Sequence, residues 1–211
     1  MSAYLMAAMT VHDPIVYKEY IKEVPSIVTK HEGHYIIRGG TYEVVEGSWP
    51  GNRVAVIEFP TYEKALSFVS DPEYRPIAEV RHKSTTSDVW LTEGVTSNPD
   101  TKSMKGFLLG NIIMENMELY NKYAERVPDV FERLEGTYLA RGGKCEVIEG
   151  NYHLDRVVIG GFLNKDSVYD FYKSDAYAPL LEIRTDASDS NIVIIEGIYQ
   201  RNIRASSTNK F

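Results

Sequence analysis

One stretch of this chain occurs twice, and that repeat constrains the fold more than any other feature. Arg38-Gly39-Gly40, Glu43 and Glu46-Gly47 return without a gap as Arg141-Gly142-Gly143, Glu146 and Glu149-Gly150, each 103 residues later. The match runs on in both directions: Tyr17 recurs as Tyr120, Pro25 as Pro128, Arg53 as Arg156 and Ser87 as Ser190. About a quarter of aligned positions are identical, enough to make the chain two copies of one unit. The first copy is predicted over residues 1–95, the second over 105–199. The polar, turn-rich stretch 96–104 is the expected linker, and a polar, flexible tail is expected from 200 to 211.

Each copy has the same order of elements. Ala3 to Thr10 is apolar at both parities, which predicts a strand covered on both faces. Asp13-Pro14 is a helix start, and Tyr17, Tyr20, Ile21, Val24, Ile27 and Val28 follow at helical spacing. Pro25 falls inside that helix and predicts a kink, and Gly33 is its expected stop. The repeated stretch reads as a strand interrupted at Gly39-Gly40 by a bulge or a close backbone approach. Arg53 to Phe59 is a third strand. Short helices are expected after Thr61 and from Asp71-Pro72, and Ser87 to Val95 is a fourth strand. The order β-α-β-β-α-β is ferredoxin-like. A single such sheet leaves one face wet, yet the first strands are apolar on both. Two sheets packed face to face resolve this, so the predicted fold is α+β: two ferredoxin-like halves forming a pseudo-two-fold sandwich or barrel within one chain.

The bulk properties exclude several function classes. A net charge of −7 argues against nucleic acid and against an anionic membrane surface as partners. No window is long and apolar enough for a membrane span, and the first residues lack a signal-peptide pattern. Cys145 is the only cysteine, which excludes an internal disulfide and points to a reducing, cytoplasmic setting. Its counterpart is Tyr42, so it reads as a strand residue rather than a nucleophile. Metal-ligand spacing, a dinucleotide loop and a Walker-type loop are all missing from the pattern, so no cofactor and no metal is expected.

The set Tyr17-x-x-Tyr20, Arg38-Gly39-Gly40, Glu43-x-x-Glu46-Gly47-x-Trp49, Arg53, Phe59, Tyr74-x-Pro76, Arg81 and Ser87 resembles the family known as domain of unknown function 1330. That family belongs to the dimeric α+β barrels, and the resemblance covers residues 3–95 and again 106–198. The second copy departs at Tyr152, which stands for Trp49, and at Asn191, which stands for Asp88. The resemblance implies that the chain is a fused version of a homodimer, with a further homodimer of whole chains open. The wider superfamily implies cofactor-independent monooxygenases, muconolactone-isomerase-like enzymes or stress-response proteins, with no common activity.

Candidate site residues come from two signals. The first is repetition. Arg38 and Arg141 stand just before the glycine pair, where a guanidinium either clamps an anion or pairs with Glu43, Glu46 or a carboxylate of the other half. Tyr20, Tyr123, Tyr74 and Tyr177 offer pocket hydroxyls or core packing. Trp49, Arg81, Ser87 and Arg184 complete the candidate substrate-binding set. The second signal is asymmetry. Glu58 corresponds to Gly161 and His34 to Thr137, so the fold alone does not demand them. By strand parity His34 is expected on the face of Arg38, making Glu58, His34 and Arg38 a candidate catalytic group in one first-half pocket. Two function classes follow. One is a cofactor-independent enzyme moving protons on a small carboxylated, aromatic or polyketide-like substrate, of isomerase, cyclase, lyase or oxygenase type. The other is a non-catalytic small-molecule-binding or stress-related protein.

Overall fold

The computed structural model describes residues 1–40 and 42–198, so the tail expected from residue 200 lies outside the described residues. The first half runs β1 (Ala3–Val11), α1 (Pro14–Lys30), β2 (His34–Arg38), β3 (Tyr42–Glu46), β4 (Arg53–Phe59), α2 (Tyr62–Val69), α3 (Tyr74–Ser84) and β5 (Thr85–Glu93). The second half repeats it as β6 (Gly106–Met114), α4 (Met117–Arg133), β7 (Thr137–Arg141), β8 (Cys145–Glu149), β9 (Arg156–Phe162), α5 (Lys165–Tyr172), α6 (Ala178–Ala187) and β10 (Ser188–Glu196). The strands form two five-stranded antiparallel sheets, ordered β2-β4-β1-β5-β8 and β3-β10-β6-β9-β7. Each sheet holds the four ferredoxin-like strands of its own half and one strand borrowed from the other.

That exchange is what the glycine pair is for. The expected interrupted strand is two strands in different sheets, with β3 pairing β10 and β8 pairing β5. Gly39 has φ +76, and a Cβ there would lie 2.2 Å from the Arg53 guanidinium carbon. Gly40 approaches the other half so closely that its Cβ would stand 2.7 Å from the Glu196 carbonyl oxygen. Only glycine allows both the turn and the contact.

The two-sided apolar strands are covered as their pattern requires. Inward side chains of both sheets meet in one cluster: Tyr4, Met6, Ile37 and Trp90 from one, Phe107, Leu109, Leu139 and Ile195 from the other. The outer face of each sheet packs on its own helices, with Leu5, Ile57, Val24 and Phe68 in the first half and Leu108, Val127, Phe131 and Phe171 in the second. Each large apolar side chain fully buried this way contributes about 1.5–3 kcal/mol. The protein is therefore a dimeric-type α+β barrel in a single chain.

Several element ends differ from expectation for local reasons. Asp13 caps α1 through Ile15 N–H at 3.0 Å and Val16 N–H at 3.1 Å. The left-handed residue after α1 is Glu32 (φ 61), not Gly33. Gly33 is small because a Cβ would press 2.6 Å from the Phe59 ring. The helix expected at Asp71-Pro72 begins at Tyr74. Asp71 accepts instead from Glu73 N–H at 2.8 Å and pairs with His31 at 2.6 Å and Lys30 at 2.9 Å. The His31 and Lys30 bonds hold its carboxyl well below the usual range.

Two buried ion pairs fasten the exchanged strands. The Arg81 guanidinium, 2% exposed, donates to both carboxylate oxygens of Glu149 at 2.7 Å, and to Ser87 Oγ at 2.8 Å. Arg184, 0% exposed, does the same with Glu46 and with Ser190 Oγ at 2.7 Å.

Candidate functional site

The first half contains a cavity of about 40 Å³ between the outer face of its sheet and helices α1 and α3. Its floor is Leu5, Ala7, Ala55, Ile57 and Val89, and its walls carry Tyr17, Tyr20, Tyr35, Tyr74 and Phe68. Three arginines reach it: Arg38, Arg53 and Arg81. A volume of this size holds two or three waters.

A bulge places Arg38 there. Tyr35 pairs with Ile57 and Ile37 with Val56, so Ile36 is an extra residue in β2. Ile36 and Ile37 both enter the inter-sheet core, which leaves Tyr35 and Arg38 on the outer face. The β7 strand has the same irregularity between Tyr138 and Ala140. Simple alternation would have put Arg38 beside His34; the bulge reverses it.

Arg38 is exposed at the cavity mouth. Its Nη2 donates to the Ile21 carbonyl at 3.0 Å, and its guanidinium lies 4.9 Å from the Tyr35 ring centre. Arg53 Nε donates to Tyr17 Oη at 3.2 Å and sits over that ring at 5.4 Å. Neither arginine pairs with a carboxylate among the described residues. The ion pair considered for Arg38 does not form, because Glu46 is taken by Arg184 and Glu43 accepts from Tyr169 Oη at 2.5 Å. Burial, followed by the neighbouring Tyr74 hydroxyl, raises the Tyr20 hydroxyl well above its ordinary pKa, against the opposing pull of Arg81. Tyr20 is therefore a neutral O–H donor at any ordinary pH.

Glu58 and His34 do meet, but elsewhere. They are cross-strand partners with His34 Nε2 3.1 Å from Glu58 Oε2, on the inter-sheet face that carries Tyr4. Glu58 is 7% exposed and accepts from Thr101 Oγ1 at 2.6 Å, Ser2 Oγ at 2.9 Å and Tyr4 Oη at 3.4 Å. Burial pushes its pKa up, yet the bonds from His34, Thr101 and Ser2 outweigh burial and hold it below the usual carboxylate range. Convergence of Glu58, His34 and Arg38 in one pocket is thus not what the fold produces. The asymmetry that singled out Glu58 has a local cause: the linker presents a hydroxyl at Glu58 and a thioether at the mirrored place. Thr101 meets Glu58, while Met104 fills the mirrored place, where a Cβ on Gly161 would lie 2.3 Å from the Met104 sulfur.

The remaining candidates divide. Tyr20, Tyr74 and Arg81 line the cavity, but Arg81 is closed by Glu149. Ser87 serves Arg81 and Thr85 rather than the cavity. Trp49 lies in the inter-sheet core, its ring 5.8 Å from Trp90 and 6.2 Å from Tyr152. Cys145 is half-buried, and burial, then Asp155, raises its thiol pKa. Tyr17, Tyr35 and Arg53 belong to the cavity and were absent from the candidate set; their repetition as Tyr120, Tyr138 and Arg156 was the signal available. Among the described residues, no three His, Cys, Asp or Glu side chains are grouped to hold a metal.

In the second half the equivalent space is divided. Two cavities of about 20 Å³ each replace the single one. Arg141 and Tyr123 line one, and Tyr123, Tyr177 and Arg184 the other. Ile112, Tyr123, Tyr138 and Val158 line both, so they form the partition. Their counterparts are Met9, Tyr20, Tyr35 and Ala55; the added bulk is at Val158. Phe131, standing for Val28, also stacks on Tyr138 at 4.1 Å. Val158→Ala is expected to join the two cavities into one, as a crystal structure of the variant will show; two separate voids would refute the partition.

Solved structures share this architecture at low identity. An anthrone oxidase-like protein aligns with a TM-score of 0.53 at 10% identity, over 94% of this chain and 92% of its own. A mutant chlorite dismutase from Candidatus Nitrospira defluvii aligns at 0.54 and 9% identity, over 94% and 92%. A heme-binding protein from Thermus thermophilus aligns at 0.50 and 10% identity, over 94% and 91%. Likeness at this level establishes the fold alone. No curated protein matches the sequence. The family described as domain of unknown function (DUF1330) matches twice, at residues 2–95 and 105–198.

Proposed function

The chain belongs to the domain of unknown function (DUF1330) family, and we propose that it is a tandem member with one working site, the first-half cavity, which binds a small organic carboxylate. The observation that carries this is Arg38. In a chain of net charge −7, it stands at a tyrosine-lined cavity with no carboxylate partner among the described residues. A planar guanidinium suits a planar carboxylate or enolate. Arg53 adds a second positive charge, and Tyr20 a neutral hydroxyl donor.

Size selects the ligand. The cavity is about 40 Å³, far below the roughly 150 Å³ that admits benzene. The enclosed space takes only a short aliphatic tail, with the carboxylate held outside it at the exposed Arg38; an aromatic ring requires Arg38 to swing outward. Among the described residues no histidine, carboxylate or thiol lines this cavity, which favours a binding protein over an acid–base enzyme. The proton-transfer reading keeps one observation in its favour, the Tyr20 hydroxyl beside the arginines, which can donate to an enolate oxygen.

Propionate and benzoate serve as probes. Propionate is expected to bind saturably at one per chain by calorimetry or chemical-shift titration, and benzoate more weakly. Arg38→Met should weaken propionate binding by about 10- to 100-fold, the worth of one charge-assisted contact of about 1.5–3 kcal/mol. Arg141→Met should leave it nearly unchanged. Equal affinity in Arg38→Met and wild type, or no saturable binding, would overturn the proposal.

A further inference from the structure

We infer that Pro25 is a positioning residue for Arg38, acting by withholding a backbone hydrogen bond rather than by bending a helix. The inference rests on the cavity reading above and deepens it.

In an α-helix the carbonyl of residue i accepts from the N–H of residue i+4. Pro25 lies inside α1 and has no N–H, so the Ile21 carbonyl loses its helical donor. A carbonyl released within a packed helix needs another partner. Arg38 supplies it: Nη2 stands 3.0 Å from the Ile21 oxygen. The bond ties the arginine to the helix wall at the cavity mouth, and its planar group is then held against Tyr35.

The second half repeats the device in full. Pro128 lies inside α4, the carbonyl four residues earlier belongs to Ala124, and Arg141 Nη2 donates to that oxygen. Arg141 likewise lies over its own strand's tyrosine, 5.0 Å from the Tyr138 ring centre. Proline is the most unfavourable residue for a helix interior, yet both helices carry one at the position that frees this carbonyl. A requirement for a bend alone does not place the arginine's donor on that one oxygen in both copies. The freed carbonyl takes one guanidinium N–H and leaves the others for a ligand carboxylate, so orientation is set before binding and its entropy is not lost on binding.

Two variants separate the missing N–H from the missing bend. Pro25→Ala restores the N–H, which recaptures the Ile21 carbonyl. The other replaces residue 25 by lactic acid, which keeps alanine's side chain but has an ester oxygen where the N–H would be. Two quantities are read: slowed proton exchange of the Arg38 guanidinium by nitrogen-15 NMR, and propionate affinity. Pro25→Ala is expected to lose the slowed exchange and to bind propionate several-fold more weakly while melting no lower than wild type. The ester variant should keep both the NMR signature and the affinity. Pro128→Ala should leave propionate binding unchanged. Retention of the Arg38 signature in Pro25→Ala, or its loss in the ester variant, overturns the inference. If propionate binds no form of the protein, the cavity proposal fails, and the Arg38 signature still decides the role of Pro25.

Discussion

Glu149→Ala is expected to destabilise the chain by about 3–5 kcal/mol, the cost of leaving a buried charge without its partner. For a domain of this size that is a fall in melting temperature of roughly 6–20 °C. The reason is the depth of Arg81, which is 2% exposed and has both Glu149 oxygens as its acceptors. Without them its guanidinium keeps, among the described residues, only Ser87 and the half-exposed His82 as hydrogen-bond partners, beside the Tyr20 ring at 5.8 Å. The mirrored change Glu46→Ala strands Arg184 in the same way. Removing both charges together, as in Arg81→Met with Glu149→Leu, should cost far less, because an apolar pair of similar volume leaves nothing unpaired. Chemical unfolding of the single and double variants measures the difference. A single-variant loss below about 1 kcal/mol would mean that the pair is solvated and does not hold β8 in place. The pair also resists acid. Burial raises the Glu149 pKa, but the Arg81 and His82 bonds bring it below the ordinary range. Its contribution is complete above the unfolded carboxylate value of about 4.3 and fades only as pH falls through the lower folded value.

Much of this architecture was open to reading from the sequence because duplication makes the pattern redundant. Strands apolar at both parities demanded two covered faces, and an ungapped second copy supplied the second sheet. What stayed hidden was which sheet each strand joined. Tyr42 to Glu46 has the same local pattern whether it continues β2 or crosses to β10, because pairing partners are chosen by long-range geometry. The glycine pair marked the place but not the destination. The bulge in β2 was equally hidden. Tyr35-Ile36-Ile37-Arg38 contains no glycine or proline to announce an extra residue, and two consecutive isoleucines facing one core are invisible to an alternation rule. One residue of slip moved Arg38 from the face of His34 to the face of Tyr35. The Arg38 cavity was therefore foreseeable in its anchor and its aromatic lining. Its separation from Glu58 was not.

Glu58 is where the structure reverses the sequence argument most sharply. Loss of Glu58 and His34 in the second copy suggested specialised chemistry. The geometry gives them a linker to hold: Thr101 and Ser2 both donate to Glu58, and Ser2 also meets Asn98 of the linker. A carboxylate whose acceptor sites are occupied and whose pKa is depressed is a weak base. Glu58→Ala is accordingly expected to lower stability by about 2–4 kcal/mol, since it takes the carboxylate acceptor from the Tyr4 and Thr101 hydroxyls in a buried setting and leaves Ser2 only Asn98. Glu58→Gln should cost less, because one oxygen remains to accept. Limited proteolysis of the Glu58→Ala variant should cut within residues 96–104 faster than in wild type, and hydrogen exchange there should quicken. Because the folded pKa of Glu58 is lowered, its contribution is whole above about 4.3 and is lost as pH falls through the folded value. The gap between wild type and Glu58→Ala should therefore narrow on acidification. Propionate affinity at the Arg38 cavity should stay within about twofold of wild type, since a site on the opposite sheet face shares no partner with it. A variant that melts like wild type yet no longer binds would return Glu58 to the functional site and leave the linker without its anchor.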